Sequence, residues 1–227
     1  MPARTLFITG TDTGVGKTLV AAALVRSFRL AGRRVVGLKP VASGCMPTAD
    51  GLRNDDALAL MAEASVDAPY PVVNPYAFAP PIAPHIAAAA GGIELSIDRI
   101  VAIRDSFDPV TDEIVVEGAG GWRVPLGVDT DFSDLAVRLN AGVVLVVGLR
   151  LGCLNHAALT AESVAARKLP LAGWIANEMD PNVAHPDENV ATLQRLLKAP
   201  FLGRIPTLAH PTAAAASPYL QLGGLDA

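Results

Sequence analysis

Cysteine is nearly missing from this chain. Cys45 and Cys153 are the two in 227 residues, no C-x-x-C pair occurs, and the four histidines are not clustered, so neither a disulfide framework nor a zinc site is indicated. Both cysteines read as reduced thiols. Charge is scarce too: 18% of residues carry one, the balance is −4 at pH 7, and no basic run stands out. That removes the general attraction on which nucleic acid or an anionic membrane surface depends, so neither is expected as a partner. Long apolar runs are also lacking near the N-terminus. The stretch "MPARTLFITG" is too short for a secretory leader and far too short to span a bilayer, so the expected location is the cytoplasm. What the chain has in abundance is hydrophobic residues, 51%, and small ones, enough for one compact α/β domain over residues 1–227.

Short β-rich runs alternate with longer helical patterns, the mark of βαβ units and a mostly parallel sheet. Strands are expected at 5–9, 34–40, 113–118, 143–148, 171–177 and 201–206, apolar throughout as suits burial on both faces. Helices are expected at 17–31, 54–64, 83–90, 96–106, 133–140, 155–168 and 187–198, several opened by Ser, Asn or Asp and the first closed by Gly32. Proline excludes regular helix or central strand from "NPYAFAPPIAP" (74–84), which reads as an ordered loop. From about residue 207 the tail, ending "AAAASPYLQLGGLDA", has little pattern.

The first strand leads into "TGTDTGVGKT" and then a helix, which is the setting of a phosphate-binding loop. Counted back from Lys17, the common G-x-x-x-x-G-K-[ST] spacing places its first glycine at Thr11, whereas the glycine stands at Gly10. The physics survives the offset. Backbone N–H groups over Asp12, Thr13, Gly14, Val15 and Gly16 and the start of a helix suit an anion, Lys17 reaches terminal phosphates, and the Thr18 hydroxyl suits Mg²⁺. The bland alternative is a glycine-rich turn with an incidental lysine. An acid across the metal is available in Glu117, which ends a strand and is followed by Gly118, Ala119 and Gly120, where small residues permit close ligand approach. Asp56 in "LRNDDALALM" is either a helix-dipole residue behind a cap at Asn54 or Asp55, or a site acid. "IANEMD" imitates the guanine motif N-K-x-D but carries Glu178 in place of its lysine, so ATP fits better than GTP, with Asn177 free to contact a purine edge.

Taken together, "GTDTGVGKT", "KPVASG" (39–44), "GLRNDDALAL" (51–60), "NPYAFAPPIAPH" (74–85), "VEGAGGW" (116–122), "LGCLNHAALT" (151–160) and "GWIAN" (173–177) resemble the dethiobiotin synthetases, in that family's order from about residue 5 to about 207. The longer glycine spacing of the loop is itself that family's form. The resemblance implies a P-loop NTPase-like three-layer α/β fold. It further implies ATP- and Mg²⁺-dependent joining of CO₂, supplied as bicarbonate, to 7,8-diaminononanoate through a carbamate and a carbamic-phosphoric anhydride, by a homodimer with substrate near the interface. By the same resemblance Lys39 joins Lys17 as a catalytic lysine, and Thr18, Asp56 and Glu117 bind metal. Thr11 and Ser43 face the diamine or carbamate, and Gly152, Cys153, Leu154 and Asn155 hold the substrate carboxylate. Asn177 contacts adenine, flanked by Ile205, Pro206 and Thr207. Two departures limit the transfer: Gly14 stands where some members have glutamate, and 181–193 matches loosely. Two rivals are weaker. Cobyrinic acid diamide synthases usually carry a glutamine-hydrolysing domain for which this chain is too short, and partitioning ATPases carry a "KGG" where Thr11, Asp12 and Thr13 stand.

Overall fold

A computed structural model describes residues 2–225; the last two positions of the tail, Asp226 and Ala227, lie outside the described residues. Strand β1 (Arg4–Gly10) runs through the phosphate-loop sequence into α1 (Lys17–Leu30) and β2 (Val35–Leu38). Then come β3 (Val41–Ser43), the hairpin β4 (Met46–Thr48) and β5 (Gly51–Arg53), α2 (Asp55–Glu63), α3 (Tyr70–Val73), β6 (Tyr76–Phe78), α4 (Pro84–Ala90) and α5 (Ile97–Asp105). The second half alternates β7 (Glu113–Glu117), α6 (Phe132–Arg138), β8 (Gly142–Gly148), α7 (Cys153–Ala166), β9 (Leu171–Asn177), α8 (Pro186–Leu196) and β10 (Phe201–Ile205), closing with α9 (Ala213–Ala216) and two single turns.

Six strands form one parallel sheet in the order β10-β9-β8-β1-β7-β2. Side chains alternate across it, so the two faces feed different packing layers. Leu6, Ile8, Val115, Val144 and Val146 meet Val20, Leu24 and Phe28 of α1 on one face. Phe7, Ile114 and Val116 meet Ile100 of α5 and Phe132 and Leu135 of α6 on the other. Beyond them, Leu145, Val147 and Trp174 pack on Val190 and Leu193 of α8. The parallel sheet expected from alternation is present, and so is the three-layer α/β fold implied by the resemblance, with helices covering both faces of the sheet.

Helix ends follow local chemistry. Asn54, Ser96 and Asp131 accept backbone N–H bonds as N-caps, Asp131 in a capping box with Asp134. Gly32, at φ 78°, carries the chain out of α1 while Arg33 N–H bonds back to Phe28 O at 3.0 Å. Helix α7 opens two residues earlier than its sequence suggests: Gly152, left-handed at φ 93°, is the cap, and Asn155 sits exposed in the first turn. The proline-rich segment does contain a short strand, β6, but it pairs only with β3 in a two-stranded ladder outside the central sheet. The weakly patterned tail is also ordered against the body. Gly203 lets it approach, since a Cβ there would collide with the Tyr219 carbonyl.

Candidate active site

The register of the sheet gathers the functional residues at its C-terminal edge. Ile8 pairs with Glu117 and Gly10 with Val146, so the loop after β1 lies between the ends of β7 and β8; Asn177, at the end of β9, pairs with Gly148 on one side and Ile205 on the other. This crevice outside the strand ends, beside the strand where the order reverses, is where open α/β sheets bind ligands.

From Thr11 to Gly16 the chain wraps around the start of α1. Lys17, 7% exposed, lays its Nζ on the Asp12 carbonyl at 2.9 Å, and among the described residues has no carboxylate partner within ion-pair distance. Burial, reinforced by the charge of Lys39, lowers its pKa to about 8. The Asp12 side chain accepts Thr13 N–H at 2.7 Å and an Arg150 guanidinium bond, which ties the loop to the segment before α7.

A second lysine lies deeper. Lys39 follows β2, where Pro40 prevents the strand from continuing, and its Nζ contacts Glu117 Oε1 at 2.7 Å, Asp56 Oδ2 at 2.8 Å and Gly118 O at 3.1 Å. Burial opposes its charge, but Glu117 and Asp56 outweigh burial and raise its pKa. Glu117 is wholly buried, and desolvation pushes its carboxyl upward despite Lys39. In Asp56 burial works against the charge, but Lys39 outweighs burial and holds the carboxyl below its ordinary range. Thr18 Oγ1 donates its one hydrogen to Glu117 Oε1 at 2.9 Å. Capping of α2 falls to Asn54, whose Oδ1 accepts Ala57 N–H at 3.3 Å, leaving Asp56 for this cluster.

A cavity of about 710 Å³ opens over both lysines and includes Thr13, Gly14, Gly16, Thr18, Asp56, Glu117, Ala119 and Gly120 in its lining. Its far wall brings in Ser43, Val124 and the proline-rich stretch Pro81–Pro84. A second cavity, about 620 Å³, shares Gly14, Gly16 and Thr18 and is walled by Asn177, Met179, Pro206, Thr207, Leu208 and Pro211. Ile205 lies beneath it, fully buried, its carbonyl accepting Glu178 N–H. The remaining candidates stand apart. Val15 is wholly buried against Gly148, Thr11 is half-buried with its N–H on Val146 O, and Gly152, Cys153, Leu154 and Asn155 at the start of α7 line neither cavity.

Two buried atoms are free to meet a ligand. Among the described residues Glu117 Oε2 and Ser43 Oγ have no hydrogen-bond partner, and Glu117 and Ser43 both border the larger cavity. An acceptor-only carboxylate oxygen beside the Thr18 hydroxyl and Asp56 is a hard oxygen set that fits Mg²⁺, which commonly takes one or two carboxylates and completes its shell with waters and phosphates.

Comparison with known proteins fits this geometry. A family model described as an AAA domain matches residues 4–215. A protein of Pseudomonas aeruginosa named ATP-dependent dethiobiotin synthetase BioD is 53% identical over 223 residues, covering 98% of this chain and 97% of its own. The chain belongs to the dethiobiotin synthetase family. Family members of the same name from Chromohalobacter salexigens and Xanthomonas axonopodis pv. citri are 51% and 48% identical, with at least 95% of each chain covered. Solved structures share the dethiobiotin synthetase fold at low identity. Chloroplast FtsY from Physcomitrella patens aligns with a TM-score of 0.51 at 16% identity over 99% of this chain and 64% of its own. The MinC:MinD cell division complex of Aquifex aeolicus aligns at 0.57 and 16%, over 91% and 83%. These two likenesses speak to fold alone.

Sequence reasoning named neither Arg150 nor the wall residues Val124, Met179 and Pro211, whereas Ile82 and Leu208 lie inside the segments 74–85 and 204–208 that it drew on. The proline-rich loop was a signal for part of the wall; a basic residue after a strand, or an apolar residue in a tail, announces nothing by type or spacing.

Proposed function

We propose that this chain is an ATP-dependent dethiobiotin synthetase that joins CO₂ to 7,8-diaminononanoate and closes the ureido ring in biotin biosynthesis, acting as a cytoplasmic homodimer. The observation that carries the reading is one continuous cavity over two chemically different lysines, with an unpartnered Ser43 hydroxyl at its wall. CO₂ adds to one amine of the substrate to give a carbamate. The carbamate oxygen takes the terminal phosphoryl group of ATP, releasing ADP, and the second amine then attacks the carbamoyl carbon. That attack expels phosphate together with the carbamate oxygen, and both nitrogens end bonded to one carbonyl.

The chain's residues supply positioning and charge. Backbone N–H groups of Thr13 to Gly16 and the Lys17 cation bind the phosphates, and the dry floor of the cleft strengthens every such contact. Lys39 lies where its ammonium compensates negative charge on carbamate and transferring phosphoryl oxygens. Ser43 Oγ orients the carbamate or amine, with Thr11 a further hydroxyl at the loop, and the cleft holds the second amine near the activated carbon, where proximity supplies much of the rate. Thr18, Asp56 and Glu117 would hold Mg²⁺, which offsets charge on the phosphates when bound. Asn177, Pro206 and Thr207 border the adenine. The N-terminus of α7, Gly152 to Asn155, offers backbone donors to the substrate carboxylate. Because it lines neither cavity of its own chain, its natural target is the cleft of a second copy.

Phosphate release from ATP is expected to require both diaminononanoate and bicarbonate; release at the same rate with either omitted would refute the assignment. Sedimentation at working concentration should give a dimer, and a fully active monomer would remove the role given to the start of α7.

A further inference from the structure

The side chain of Asn177 does something that a base contact does not require. It is 5% exposed at the end of β9, and its Nδ2 donates to the Val15 carbonyl inside the phosphate loop at 2.9 Å. A carbonyl only accepts, so the orientation of the amide is fixed: nitrogen toward the loop, with Oδ1 and the second amide hydrogen left for the cavity it lines. The next residue, Gly16, is left-handed at φ 90°, and a Cβ there would run into the same Nδ2. Two features of the loop, a bonded carbonyl and a bare Cα, are therefore shaped around one side chain from a different strand. The Asn177 backbone is anchored in turn, its carbonyl taking Leu149 N–H at 2.8 Å.

We propose that Asn177 is a positioning residue for the phosphate-binding loop, holding Val15 and Gly16 in the anion-binding conformation whether or not a base is present. The inference rests on the nucleotide reading and deepens it. Gly16, Lys17 and Thr18 follow directly on the bonded carbonyl, so their N–H groups are aimed by a contact made at the base pocket. Filling that pocket immobilises the same amide, which links base and phosphate binding through one side chain, and such linkage is reciprocal.

A ligand with phosphates and no base separates the roles. Tripolyphosphate binding by the full chain is measured by calorimetry for wild type, Asn177→Ala and the nearly isosteric, uncharged Asn177→Leu, with Leu208→Ala as a change in the same cavity. Thermal melting reports folding for each. The expected result is that tripolyphosphate binds about fivefold to tenfold more weakly to whichever Asn177 variants fold, the effect of losing one hydrogen bond. Leu208→Ala should weaken ATP while leaving tripolyphosphate unchanged. Folded Asn177 variants that bind tripolyphosphate like wild type and lose only ATP affinity would make Asn177 a base contact alone and overturn the inference. Wild type that binds ATP but not tripolyphosphate would overturn it as well, leaving the nucleotide reading standing; wild type that binds neither would overturn both.

Discussion

Lys17 and Lys39 border one cavity, and both are buried, yet they are held in opposite ways. Lys39 has two carboxylates within 2.8 Å and its pKa is raised; Lys17 has a backbone carbonyl and its pKa is lowered to about 8. Lys39 is part of a charge cluster the fold completes by itself. Lys17 is a buried cation with no carboxylate in contact among the described residues, which is costly in the protein alone and would be relieved by an anion bound beside it. The difference teaches that one lysine is a structural ion satisfied within the fold, whereas the other keeps its charge without a carboxylate in contact, as the proposed phosphate site requires.

Removing each lysine should separate these roles. The largest stability loss is expected from Lys39→Ala, which leaves the wholly buried Glu117 unpaired; about 3–5 kcal/mol should be lost in denaturant unfolding. Adding Glu117→Gln should return much of it, and a double variant no more stable than the single one would break the comparison. Lys17→Ala should leave stability within about 1 kcal/mol of wild type but weaken ATP binding by about a hundredfold and abolish turnover, as checked by calorimetry and phosphate release. Gly16→Ala, at φ 90° and against Asn177, should cost about 1–2 kcal/mol in stability.

Smaller effects test the surroundings. Asp131→Ala removes a capping box that lines neither cavity and should cost about 1 kcal/mol with turnover unchanged. Arg150→Ala frees the exposed Asp12 and should weaken ATP binding about twofold. The Thr13 N–H, then Arg150, hold the Asp12 carboxyl below its ordinary range, so this contribution is present above about pH 4 and is lost only as pH falls through the lowered value. The Arg150→Ala effect should therefore be constant from about pH 6 to 8 when ATP affinity is titrated.

The contrast also marks what was legible in the sequence. The strands and most helices were, because apolar runs, alternation and caps such as Ser96 and Asp131 are local signals. Lys17 was legible for the same reason, lying inside one contiguous loop. Spacing alone did not show the cluster around Lys39, although the resemblance put Asp56 and Glu117 on one metal: the three residues are far apart in the chain, and the register of β2 with β7 brings Lys39 to Glu117 while the start of α2 brings in Asp56. Asp56 could be read as a helix-dipole acid behind its cap until its Oδ2 was found 2.8 Å from Lys39 Nζ. The two-residue error at α7 arose because Asn155 has the residue type of a cap, whereas left-handed Gly152 fills that place. The link from Asn177 to Val15 joins the end of β9 to the loop before α1 and leaves no trace in spacing.

The central claim is that phosphate leaves carrying an oxygen from the carbamate. With ¹⁸O-labelled bicarbonate, diaminononanoate and unlabelled ATP, each phosphate released is expected to carry one ¹⁸O and each product one labelled carbonyl, in equal amounts after correction for exchange with water. Phosphate free of label would mean that water, not carbamate, takes the phosphoryl group, and would contradict the account.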